Sequence, residues 1–114
     1  MVLDPKALDN LLELVGGDQE ALIELIDTFL GEAPQLLARM RDAVESRDAA
    51  TLRLTSHSLK SNAIDLGALT FADLCKRLET LGREGTVAGA PTLVAQIETE
   101  YQRVESALIA FRDT

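Results

Sequence analysis

A chain of 114 residues makes one domain, long enough to bury about two thirds of its unfolded surface without disulfide or metal staples. Eleven basic against nineteen acidic residues leave a formal charge of -8, which argues against binding nucleic acid through general electrostatics. Leu and Ala dominate the 46% hydrophobic content and aromatics are scarce, a balance that favours helices over strands. The lone cysteine, Cys75, has no internal disulfide partner, so a reducing, cytoplasmic compartment is expected. No apolar run approaches the roughly 20 residues needed to cross a bilayer, and no signal-peptide pattern opens the chain. No membrane association is expected.

Helical periodicity recurs from end to end, and no segment keeps a period of two. Asp4-Pro5 predicts a short first helix, with Asp as N-cap, Leu8, Leu11, Leu12 and Val15 on one side, and a stop at Gly16-Gly17. Asp18 caps a second helix whose inward residues run from Leu22 through Ile26, Phe29, Ala33, Leu37 and Met40 to Val44. Pro34 interrupts its backbone bonding and predicts a bend near Leu30-Gly31, but the stripe keeps its phase, which favours one helix over two. Arg47-Asp48 makes a tight corner, and Asp48 caps a third helix from Ala49 to about Leu66, closed by Gly67. A fourth helix turns Leu69, Phe71, Leu74, Cys75, Leu78 and Leu81 inward and ends around Gly82-Gly85. After a loop, Pro91 opens a last helix with a seam of Val94, Ile97, Tyr101, Val104, Leu108 and Phe111. The expected fold is therefore all-α, an antiparallel up-down-up-down four-helix bundle over residues 1–114 with a short N-terminal capping helix.

The third helix carries the one histidine of the chain. With about 100° of rotation per residue, Leu52, Leu59, Ala63 and Leu66 form its inward stripe and His57 falls roughly 160° from Leu59. Lys60, Ser61 and Ile64 stand beside His57 at i+3, i+4 and i+7. An imidazole facing water, with a cation one turn along and a small hydroxyl neighbour, is suited to nucleophilic chemistry on the ring. Leu54 and Ile64, within roughly 60° of His57, predict an apolar rim around this polar centre, of the kind that marks docking sites; Ser58, next to His57 in the chain, is expected to dock with them. For Glu79 and Arg83, at i and i+4 of the fourth helix, two readings stand. The commoner is an exposed ion pair worth a few tenths of a kcal/mol; the other, if that helix packs beside the third, is a pair reaching the histidine face. Asn62 is expected at the helix border, Cys75 in the core, and Tyr101 in the seam with its hydroxyl at an edge. No Gly-rich phosphate loop, Cys-x-x-Cys pair or His-Glu-x-x-His motif is present, so ATP and metal chemistry have nothing to build on.

His57, Leu59, Lys60, Ser61 and Gly67, followed by Leu74, Cys75, Leu78 and Glu79 on the next helix, resemble the histidine phosphotransfer (HPt) domains of multistep phosphorelays. That family places a leucine at +2 from its histidine, a lysine at +3, glycine or serine at +4 and glycine at +10. Ser61 is the one departure from the commoner glycine. The resemblance implies a phosphocarrier without autokinase activity, in which His57 takes a phosphoryl group from one receiver aspartate and gives it to another. It further implies Lys60 as the stabiliser of phosphoryl charge, Ser61 as a clearance position, and response-regulator receiver domains and a hybrid sensor histidine kinase as partners. No cofactor is expected on this chain, since the Mg²⁺ belongs to the receiver. A closed core leaves no need for a dimer, so a monomer is expected. The methionine start and short tail favour a free-standing protein. A binding-only bundle and the histidine-bearing domain of a chemotaxis-type kinase are the alternative readings.

Overall fold

The computed structural model covers residues 1–114 and contains five helices. These are α1 (Pro5–Leu14), α2 (Gln19–Glu45), α3 (Ala49–Asp65), α4 (Leu69–Arg83) and α5 (Ala90–Arg112). Each of the first three is capped as its sequence dictates. Asp4 accepts from the Lys6 amide at 3.0 Å, Asp18 from Glu20 at 3.0 Å and Ala21 at 3.4 Å, and Asp48 from Thr51 at 3.0 Å. α2 runs unbroken through Pro34, with Ala33 and Leu37 buried on either side of it. Short corners make neighbours of consecutive helices, and α5 closes the ring by packing against both α4 and α2. α3 and α4 form the most extensive pair, whereas α3 and α5 do not meet.

The inward stripes meet as expected. Leu22, Ile26, Met40, Leu52, Leu59, Phe71, Leu78, Ile97 and Leu108 are essentially inaccessible. Phe29, Phe71 and Tyr101 tie α2, α4 and α5 together, with ring centroids 6.0 to 6.5 Å apart. Three expectations need correction. Leu69 is half exposed because it is the first residue of α4, beyond the edge of the core. Phe111 is partly exposed in the last turn of α5, where it borders an open cleft against Leu3 and Leu8. The Tyr101 hydroxyl does not reach an edge: it is buried with no protein partner. Burial, and then the nearby Glu105 charge, push its phenol up to about 12.

Gly67 fixes the capping helix. It sits at the α3–α4 corner with φ of +78°, a left-handed conformation that closes the end of α3. Its carbonyl accepts from the Asp4 amide at 2.9 Å, and a Cβ there would lie 2.8 Å from the Asp4 carbonyl oxygen and 2.9 Å from Ala7 Cβ. The same glycine therefore ends one helix and seats the start of another. Gly67→Ala is expected to cost at least about 2 kcal/mol in urea unfolding, from left-handed strain plus the clash. Amides of α1 should exchange faster. A loss below about 0.5 kcal/mol would contradict this role.

Candidate functional site

α3 buries Leu52, Leu59 and Ala63 and turns His57 outward, its side chain 59% exposed. What stands behind the ring is set by α4. A Cβ on Gly82 would lie 2.8 Å from both the Ala49 carbonyl oxygen and the Arg53 amide nitrogen, so a side chain there would push α4 away from α3. One turn earlier on α4, this close approach brings Glu79 against the histidine helix, and Glu79 is 4% exposed.

The Glu79 carboxylate joins the site residues. Oε2 accepts from His57 Nδ1 at 2.7 Å, and Oε1 accepts from Lys60 Nζ at 2.5 Å. Arg83 Nη2 lies further off, 3.6 Å from Oε2. The exposed Glu79–Arg83 pair expected as the commoner case is thus corrected: Glu79 is buried and its main partners are on α3, because α4 packs beside that helix. Burial pushes the Glu79 carboxyl up, but the hydrogen bonds and charges of Lys60 and His57 outweigh it and hold it below the usual carboxylate range. An ionised carboxylate can only accept, so Nδ1 of His57 is the donor. One turn before Glu79 on α4, Cys75 is buried, and burial followed by the Glu79 charge pushes its thiol up to about 12. It stays a protonated core residue.

On its other side His57 opens onto a groove of about 550 Å³ between α3 and α2. Ser58, Ser61 and Asn62 line it from α3, and Glu32, Gln35, Leu36 and Arg39 line it from α2. Ser61 is exposed, and Asn62 belongs to the groove rather than to a neutral border. Leu54 is 60% and Ile64 48% exposed. Beyond Glu32 and Asn62 the groove gives way to an apolar hollow bordered by Leu11, Leu25, Phe29 and Leu66. Gly67 stands apart, at the corner. The α2 wall was not among the expected site residues, although a count from the corner finds it. Arg39 lies nine residues before Asp48 and His57 nine after it, so the two sit level across an antiparallel hairpin.

Residues 24–107 match the family model described as the Hpt domain. The chain belongs to the Hpt domain family. It is 32% identical to histidine-containing phosphotransfer protein B (HptB) from Pseudomonas aeruginosa PAO1, with a TM-score of 0.90 over 98% of this chain and 95% of that one. The HPT domain of the Hpt sensor hybrid histidine kinase from Shewanella, 22% identical, shares the fold with a TM-score of 0.77 over 96% of this chain and 92% of that one. No curated protein sequence matches the chain. An Hpt domain is a phosphocarrier, a histidine phosphotransfer intermediate in two-component phosphorelays that works with receiver domains and hybrid kinases. No helix of this Hpt domain is long and apolar enough to cross a membrane.

Because the folded-state carboxyl of Glu79 titrates below its unfolded value, its contribution to stability is fully present above about pH 5 and is lost as pH falls through the folded value. Glu79→Gln should therefore cost about 1–3 kcal/mol at pH 7. The difference from the unsubstituted protein should shrink in denaturation curves taken below about pH 4. A difference that stays constant from pH 7 to pH 3 would contradict an ionised, partnered Glu79.

Proposed function

We propose that His57 is the phosphoryl acceptor of this Hpt domain and that Nε2 is the attacking atom. The observation that carries the reading is the 2.7 Å bond from Nδ1 to buried Glu79. It holds the proton on Nδ1, leaves the lone pair on Nε2, and presents that nitrogen on the exposed side of the ring. In the forward step Nε2 forms a bond to phosphorus as the P–O bond to the receiver aspartate breaks, and the carboxylate leaves with the electron pair. The Nδ1 proton stays on the ring, and Glu79 stabilises the positive charge that the phosphorylated imidazole acquires. The reverse step delivers the phosphoryl group to a second receiver aspartate.

Lys60 is the cation for the transferring oxygens. Its ammonium rests on Glu79 before transfer, and a fourfold-rotatable stem lets it reach for the phosphoryl group as charge arrives. Ser61 clears space for the receiver's loops and offers a hydroxyl at the groove. Leu54, Ser58 and Ile64 form the docking rim, with Arg83 as an outer partner of Glu79. The Mg²⁺ and the aspartates belong to the receiver, and a hybrid sensor histidine kinase is the upstream donor. The chain has no autokinase activity of its own, since its sequence holds no nucleotide-binding motif. It acts as a cytoplasmic monomer and as one module over residues 1–114.

Incubation with a receiver domain phosphorylated on aspartate should label the chain as an acid-labile, base-stable adduct, while ATP alone should not. His57→Gln should remove the label and leave helix content unchanged; a labelled variant would refute the acceptor. Lys60→Ala should slow transfer on the order of tenfold to a hundredfold with a much smaller loss of receiver affinity. Equal losses in both would make Lys60 a contact residue only. Ser61→Gln should instead weaken docking, and unchanged affinity would remove the clearance role.

A further inference from the structure

A phosphorylated receiver site is anionic, and a chain of net charge -8 repels it at long range. Cations on the His57 face must offset that repulsion. Two of them are already engaged, Lys60 at 2.5 Å from Glu79 and Arg83 at 3.6 Å from it. Arg39 is different. It is exposed, shares the groove with His57, Ser58 and Ser61, and takes part in none of the ion pairs of the fold. On its own helix, Gln35 and Leu36 stand one turn back and Glu32 two turns back, while Asp42 at i+3 is the one close acidic neighbour and forms no ion pair with it. Across the groove, the level partners are the hydroxyls of Ser58 and Ser61.

We propose that Arg39 is the steering and docking cation of the α2 wall, placed to engage the aspartyl-phosphate side of an incoming receiver while His57 faces the phosphorus. This rests on the reading of His57 as phosphoryl acceptor. Arg39 is a positioning residue: its charge speeds encounter and fixes the approach across α2, and it takes no part in the bond exchange. A planar guanidinium suits that task, because it stays charged throughout and binds phosphate or carboxylate oxygens in pairs.

The test uses the full chain and the receiver domain that labels it fastest, with association and transfer timed separately by stopped flow and rapid quench. At low salt Arg39→Ala should slow association about three- to tenfold and Arg39→Glu more, while Arg39→Lys restores most of the rate. The deficit should close as salt rises, and transfer at saturating receiver should stay within about twofold of the unsubstituted rate. Arg77→Ala, which removes the same charge from an exposed α4 pair with Asp73, should change association little. Equal effects of Arg39→Ala and Arg77→Ala would overturn the proposal, as would a salt-independent deficit confined to the transfer step. Measurable association without labelling of the unsubstituted chain by any receiver would instead overturn the acceptor reading on which this one rests.

Discussion

A buried carboxylate needs partners, and the whole site follows from how Glu79 finds them. Left unpaired at 4% exposure, its charge would cost several kcal/mol or be lost by protonation. Lys60 and His57, both from α3, satisfy the two oxygens. Folding and site assembly are therefore linked: closing the apolar α3–α4 contact brings the ring and the ammonium to the carboxylate, and their bonds add to the stability of that contact. The same contact that stabilises the helix pair orients the imidazole, which loses freedom that it would otherwise have as an exposed side chain.

The scaffold serves this arrangement by leaving out side chains at two places. Gly82 lets α4 approach the backbone of α3, and Gly67 lets α1 rest on the α3–α4 corner. Packing the ring of helices as α2, α3, α4 and α5 keeps α5 away from α3, so the outer face of the histidine helix is left to solvent and to the groove against α2. The core does the opposite work. Phe29, Phe71 and Tyr101 hold α2, α4 and α5 to one another, and α3 is gripped by its neighbours through Leu52, Leu59 and Ala63. Rigidity behind the histidine and openness in front of it come from different helices.

Much of this was legible in the residues. Caps at Asp4, Asp18 and Asp48, a left-handed close at Gly67 and continuous apolar stripes set the helix bounds to within a residue or two, and the outward turn of His57 came from rotation alone. The partner of His57 was not legible in the same way. Periodicity orders residues around one helix axis and says nothing of which neighbour meets which face, so Glu79 read more readily as the exposed i,i+4 partner of Arg83. Gly82 was the local signal for a close approach, and inside a final helical turn it is easily taken for a terminator. Arg39 and the α2 wall are hidden from periodicity for a similar reason, since the outer face of one helix gains meaning only beside the next. Leu69 and Phe111 show the converse error, apolar residues in phase with a stripe but past the ends of the core.

The central claim is that Glu79 holds Nδ1 and leaves Nε2 as the nucleophile. The position of the phosphoryl group on the ring tests it most directly. Phosphorylating the ¹⁵N-histidine-labelled chain from a receiver domain and reading the ³¹P–¹⁵N coupling by NMR assigns the bonded nitrogen. Phosphorus is expected on Nε2, with the proton retained on Nδ1. Phosphorus on Nδ1 would contradict it, because that nitrogen could not form the bond while donating to Glu79.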